Sequence, residues 1–290
     1  MSGSISRRVA LFGAAVCFST PSCGEERAVS FAARMRELES RHGGRLGVAI
    51  SDTKAGLRLG YRADEAFPLC STFKFLAAAA ILARVDTKSL SLDQPIAFTE
   101  RDLDTYSPVT KRYVPAGSIP LAETCAAAII WSDNTAGNLM LRELGGPVGL
   151  TEYVRSLADN VTRLDRTEPD LNSAIPGDPR DTTCPGAMLD DLQKILLGSV
   201  LSTSSRDLLL SWMIASQTGA KRIRGGLPPD WRVGDKTGTG ENASANDIAI
   251  AYPPNRAPLL VAVYYTGSKA SREEQNGIHA EIGRAAAALV

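Results

Sequence analysis

Apolar residues change their period twice along the chain, and the changes mark out its parts. Phe31, Met35 and Leu38 recur at helical spacing among Arg34, Arg36, Glu37 and Glu39, which predicts an amphipathic helix stopped at Gly43-Gly44. Leu46, Val48 and Ile50 then alternate, Lys54-Ala55-Gly56 turns, and Leu57, Leu59 and Tyr61 alternate again. That is the pattern of a two-stranded hairpin. From Asp64 to about Ser216 the period is helical, with helices expected from Ser71 and over 119–131, 136–144, 148–158 and 186–198, and no strand. Strands return at 231–239, 248–252 and 259–266, and a helix over 272–289 closes the chain. Two α/β ends around an all-helical middle predict one antiparallel sheet split by an insertion. The α/β lobe is then 28–63 with 215–290, the all-α lobe is 64–214, and a functional cleft is expected between them.

Composition narrows the choice of partner. Thirty-two basic residues balance 32 acidic ones and 44% of the chain is hydrophobic, an ordinary globular balance with no electrostatic pull toward nucleic acid or an anionic membrane. A small, roughly neutral ligand is expected. The N-terminus departs from this balance: Ser6-Arg7-Arg8 precedes an apolar run over 9–18, then Ser19-Thr20-Pro21-Ser22 and Glu25-Glu26-Arg27. This predicts an export signal over 1–27 whose apolar run is too short to span a bilayer, with paired arginines that suit the twin-arginine route. Neither Cys17 nor Cys23 follows a lipoprotein pattern, so an exported chain, periplasmic or secreted and free of the membrane once the signal is removed, is expected. Cys70, Cys125 and Cys184 remain, read as small buried residues. His42 and His279, one in each terminal helix, are expected at the surface and are too few for a histidine zinc site, so no metal or other cofactor is expected.

Candidate chemistry begins at Leu69-Cys70-Ser71-Thr72-Phe73-Lys74. Pro68 forbids an earlier helix, which places Ser71 in the first turn of the next one. Lys74, three residues on, lies on the same face. Such a pair is a nucleophile beside a base, since a desolvated lysine gives up its proton more readily; taken alone it is the commoner pattern of an N-cap serine followed by a lysine reaching solvent, and only companion clusters overturn that. Three further clusters carry polar groups. Trp131-Ser132-Asp133-Asn134 breaks two apolar helices, either as a cap or as a hydroxyl and carboxamide facing a cleft. Asp235-Lys236-Thr237-Gly238-Thr239-Gly240 lies on a strand edge, where a cation and hydroxyls suit a carboxylate and a backbone N–H suits an oxyanion. In the long loop over 163–183, Arg163, Arg166, Asp178, Arg180 and Asp181 predict internal ion pairs that leave Glu168 as a free carboxylate. Beside Asn172, Glu168 is placed to take a proton from a water.

In this order, Ser-x-x-Lys, Ser-Asp-Asn, Glu-x-x-Leu-Asn and Lys-Thr-Gly resemble the class A serine β-lactamases, of which they are the known signature. The resemblance runs from the end of the signal to the C-terminus. It implies a two-lobed α/β fold of the serine β-lactamase and penicillin-binding type, with a five-stranded antiparallel sheet flanked by helices plus an all-helical lobe. It also implies a monomer that hydrolyses the β-lactam amide of penicillins and cephalosporins through a serine acyl-enzyme, conferring antibiotic resistance. By the same resemblance Ser71, Lys74, Ser132 and Glu168 are catalytic, with Lys74 or Glu168 (acting through water) as the acylation base. Asn134, Asn172, Lys236, Thr237, Thr239, Arg222 and Tyr106 bind substrate, and the backbone N–H groups of Ser71 and Thr239 form the oxyanion hole. A cis Glu168–Pro169 peptide is implied as well.

There are departures from the family pattern. Ala245 stands where many members carry a carboxylate-binding arginine, and Arg222 matches the substitute found in others. Cys70 matches half of a disulfide of the carbapenem-hydrolysing branch whose other half is Gly240 here, and the partner position of Cys125 is Ala78. A penicillin-binding DD-peptidase shares every cluster except the glutamate loop, and a non-catalytic β-lactam sensor would need a signalling segment that the sequence lacks.

Overall fold

The computed structural model describes residues 23–290, so the export signal expected over 1–27 lies, apart from 23–27, outside the described residues. Cys23–His42 forms α1 and is followed by β1, Arg45–Asp52, and β2, Leu57–Tyr61. The middle of the chain runs β3 (Phe67–Pro68), α2 (Phe73–Asp86), β4 (Pro95–Ala97), β5 (Ser118–Pro120), α3 (Leu121–Ile130), α4 (Asn134–Leu144) and α5 (Gly146–Ser156). It continues through β6 (Thr182–Thr183), α6 (Pro185–Leu196) and α7 (Thr203–Ile214). A single turn, α8 (Ile223–Gly226), precedes β7 (Arg232–Thr239), β8 (Ala245–Tyr252) and β9 (Leu259–Thr266), and α9 (Arg272–Ala287) ends the chain.

The two ends of the chain build one five-stranded sheet of order β2-β1-β9-β8-β7, antiparallel throughout, as expected. Register sorts its side chains by period two. Val48 opposite Val263 and Ala249 opposite Val261 face α1 and α9, where they pack with Phe31, Met35, Leu38, Ile278 and Ile282. Ala49 opposite Ala262 and Ile250 opposite Leu260 face the other way, into the core shared with α2, α6 and α7. A strand covered on both faces has no polar face to show, and every residue of β9 is buried. The helices start where the chemistry of their first turn allows. Asp133 caps α4 by accepting from Ala136 N at 2.9 Å, Ser202 caps α7 through Ser205 N, and Ser271 with Glu274 forms a capping box on α9.

Four expectations need correction. Ser71 is not in an α-helical turn: Cys70–Thr72 is a 3-10 turn at the head of α2, with Cys70 at a φ of 44°. The middle does contain strands, since β3 pairs with β6 and β4 with β5. These ribbons are only two or three residues long, too short to show a period. Helix α7 was not expected either, because Leu208, Leu209 and Leu210 form a run rather than a stripe. His279 is fully buried, on the inward stripe of α9 with Gln275, Ile278 and Ile282, and its Nδ1 lies 2.8 Å from Gln275 O. Burial pushes its imidazole down to about 3, so it is neutral.

A second buried group carries a pH prediction. Asp191, on α6, is fully buried, and desolvation with the Asp159 carboxylate beside it pushes its carboxyl up to about 8. In the unfolded chain it ionises from its ordinary value of 3.8. The folded state therefore holds the proton more tightly, and stability falls as pH rises between these two values, by up to about 1.4 kcal/mol per unit. Asp191→Asn, which cannot ionise, is expected to raise the melting temperature more at pH 8 than at pH 5. An equal change at the two pH values in thermal melts would show that the carboxyl does not titrate there.

Candidate active site

The clusters singled out in the sequence converge at the seam between sheet and helical lobe. Ser71, Tyr106, Ser132, Asn134, Asn172, Thr218, Arg222, Thr237 and Thr239 line one cleft of about 340 Å³. A larger hollow of about 870 Å³ lies under the 163–183 loop, lined by Arg45, Glu65, Pro68, Arg166 and Asp178 among others. Neither Ser71 nor Lys74 lines it, so size alone does not locate the chemistry.

Lys74 is the hub of the cleft floor. Fully buried on α2, its Nζ lies 2.9 Å from Ser71 Oγ, 2.9 Å from Ser132 O, 2.7 Å from Asn134 Oδ1 and 2.8 Å from Glu168 Oε1. Room for it is made by Gly137 on α4, where a Cβ would lie 2.7 Å from Lys74 Cε. Ser71 Oγ in turn donates to Glu168 Oε1 at 3.2 Å. The hydroxyl thus has a nitrogen and a carboxylate in direct reach, and either is placed to take its proton. Glu168 is not the free carboxylate expected from the loop charges: it is 4% exposed and paired with Lys74. The sequence hid this partner because it lies far along the chain.

The loop itself is tied as its charges predict. Arg163 pairs with Asp165, Arg180 with Asp178 at 2.7 Å, and Arg166 with the buried Asp181 at 2.6 Å. Asn138 then clamps the backbone of Glu168, accepting from its N–H at 2.9 Å and donating to its carbonyl at 3.0 Å. The Glu168–Pro169 peptide is cis. Asn172 Nδ2 donates to Glu168 Oε2.

Across the cleft, Lys236 is fully buried on β7, the edge strand, and its Nζ donates to Ser132 Oγ at 2.9 Å and to Thr237 O at 2.7 Å. Burial, with the neighbouring charge of Lys74, holds its ammonium well below the ordinary lysine range. Ser132, at a φ of 59°, thus stands between two lysines. Thr237 Oγ1 shares a hydrogen with Thr218 at 2.7 Å.

Arg222 is nearly spent on the protein itself. It donates to Gly238 O at 2.8 Å, to Asn246 O, to Asn276 Oδ1 at 3.2 Å and to Thr239 Oγ1 at 2.8 Å. It reaches the cleft mainly through Thr239, and its segment is anchored by Ile223 N on Asp247 and Arg224 on Asp235. Tyr106 stands at the rim, 49% exposed. Cys70, Cys125 and Cys184 are free and buried, and burial pushes the Cys70 and Cys125 thiols up to about 12. Gly240 lies against Cys70, where a Cβ would come within 2.7 Å of Sγ.

Sequence reading missed Asn138, Thr218, Asp104 and Gly137. Only Asn138 left a local signal, lying one turn after Asn134 on the same face of α4.

A hydroxyl, two lysines and a carboxylate gathered between a five-stranded sheet and a helical lobe define a serine hydrolase that works through an acyl-enzyme. Comparison with known proteins makes this specific. The family model described as Beta-lactamase enzyme family matches residues 30–290. Beta-lactamase AST-1 of Nocardia asteroides is 49% identical over 251 residues, 87% of this chain and 81% of the relative. The carbapenem-hydrolyzing β-lactamase KPC of Klebsiella oxytoca is 49% identical over 229 residues, 79% of this chain and 78% of the relative. Among solved structures, an ancestral class A β-lactamase superposes with a TM-score of 0.88 at 54% identity, covering 89% of this chain and 99% of its own. The chain belongs to the β-lactamase enzyme family, as a class A serine β-lactamase that hydrolyses the amide bond of β-lactams.

Proposed function

We propose that the enzyme opens penicillins and cephalosporins in two half-reactions that share Ser71. Ser71 Oγ attacks the lactam carbonyl as its proton passes to Glu168, through a water, or to Lys74, and the backbone N–H groups of Ser71 and Thr239 hold the oxyanion. The C–N bond breaks, and Ser132, hydrogen-bonded to Lys236, gives its proton to the departing nitrogen and regains one from the base that deprotonated Ser71, so that Glu168 enters the second half-reaction ionised. A water held by Glu168 and Asn172 then attacks the ester. Its proton goes to Glu168 and from there to Ser71 Oγ as the ester C–O bond breaks, which returns the Ser71 hydroxyl and the Glu168 carboxylate. Lys236, Thr237 and Thr239 take the ring carboxylate, with Arg222 setting Thr239, while Asn134 takes the side-chain amide and Tyr106 covers the rim.

The observation that carries this reading is Glu168 Oε1, buried 3.2 Å from Ser71 Oγ. A penicillin-binding DD-peptidase or a sensor forms the same ester but has no such carboxylate to clear it. The enzyme is further proposed to act as an exported monomer, in the periplasm or outside the cell; no described helix is long and apolar enough to cross a membrane. A steady-state assay of the mature protein on a chromogenic cephalosporin tests the reading. Sustained turnover unaffected by EDTA is expected, whereas one stoichiometric burst followed by silence would move the protein to the peptidase or sensor class.

A further inference from the structure

Asn134 is held from two sides by groups of opposite character. Lys74 Nζ donates to its Oδ1 at 2.7 Å, and its Nδ2 donates to Asp104 Oδ1 at 3.0 Å. An ammonium only donates and a carboxylate only accepts, so the carboxamide has one orientation. Turned over, it would set oxygen against oxygen at Asp104 and nitrogen against nitrogen at Lys74. Asp104 is itself fixed: its Oδ1 also accepts from Tyr106 N at 3.1 Å and Thr105 Oγ1 at 3.2 Å. Its N–H donates to Thr135 Oγ1 at 2.8 Å and its carbonyl accepts from Ser107 Oγ at 2.8 Å. Asn134 N completes the stitching by donating to Tyr106 O at 2.9 Å.

We propose that Asp104 is a positioning residue that sets the substrate preference of this enzyme for β-lactams with an acylamino group on the ring. An amide nitrogen carries two hydrogens. With one committed to Asp104, the other is left for the cleft that Asn134 lines, where the carbonyl oxygen of an acylamino substituent accepts it. Lys74 is one of the two groups placed to take the proton of Ser71, whereas Asp104 stands outside the proton transfer and keeps the orientation throughout. This rests on the assignment of Asn134 to the side-chain amide.

The test compares kcat and KM on benzylpenicillin, which has the acylamino group, and penicillanic acid, the same bicycle without it. Asp104→Ala is expected to lower kcat/KM for benzylpenicillin about tenfold, chiefly through KM, and to leave penicillanic acid within about twofold. Asp104→Asn, which keeps an acceptor of the same shape, recovers most of the loss. Asp104→Leu, similar in shape and without an acceptor, replaces Asp104→Ala if truncation loosens the loop in thermal melts. Equal losses on both substrates, or no loss on either, overturn the proposal. Asn134→Ala measured alongside separates the two levels. If it leaves the ratio between the substrates unmoved, the assignment of Asn134 falls and the proposal with it; if it moves the ratio where Asp104→Ala does not, only the role of Asp104 falls.

Discussion

Ser71→Ala is expected to lower kcat/KM for benzylpenicillin by at least ~10⁴-fold, the scale on which nucleophile removal acts in serine hydrolases. The loss is chemical rather than structural. Lys74 keeps Glu168 Oε1, Ser132 O and Asn134 Oδ1 as acceptors, three for the three hydrogens of an ammonium, so the cleft floor has no reason to rearrange. A melting temperature close to that of the wild type should accompany the loss. Activity within tenfold of wild type in a folded Ser71→Ala protein would mean that another group attacks the lactam.

Glu168→Ala is expected to slow kcat by ~10³-fold, within the range a general base supplies, and to lower KM with it, because the acyl-enzyme then accumulates. Deacylation suffers more than acylation: the lactam amide can still be attacked with Lys74 beside Ser71 at 2.9 Å, but the ester awaits a water with no carboxylate to deprotonate it. The substitution also leaves the buried ammonium of Lys74 without its ionic partner, and losing one half of a buried pair costs about 3–5 kcal/mol. A lower melting temperature is therefore expected in Glu168→Ala, and Glu168→Gln should show the same kinetic split with less loss of stability. A variant that turns over penicillin at the wild-type rate would remove Glu168 from the mechanism.

What the sequence disclosed follows from how far each signal reaches. Alternation along β1 and β2 marks the hairpin because successive side chains of a strand point to opposite faces, and the Ser71–Lys74 spacing is legible because residues three apart share a helical face. The ion pairs of the 163–183 loop could be read for the same reason, since Arg163 with Asp165 and Arg180 with Asp178 are two residues apart. Contacts between distant segments left no such trace. The pairing of Glu168 with Lys74, the hold of Asp104 on Asn134 and the room Gly137 leaves for Lys74 exist only once α2, α4 and two loops meet. His279 was misplaced because the inward stripe of α9 accepts a neutral imidazole where its neighbours are Ile278 and Ile282. Arg222 could be chosen by its match to other members of the family, but the carbonyls of Gly238 and Asn246 that occupy it could not be foreseen.

The most direct test of the acyl-enzyme cleared by Glu168 is an intact mass spectrum of the wild type and of Glu168→Ala, each quenched after mixing with benzylpenicillin. The wild type should return unmodified protein once the drug is consumed, and the variant should show protein plus one intact drug, with the added mass on the peptide that contains Ser71. Unmodified protein in both, or a lasting adduct in both, would contradict the assignment of the two half-reactions to Ser71 and Glu168.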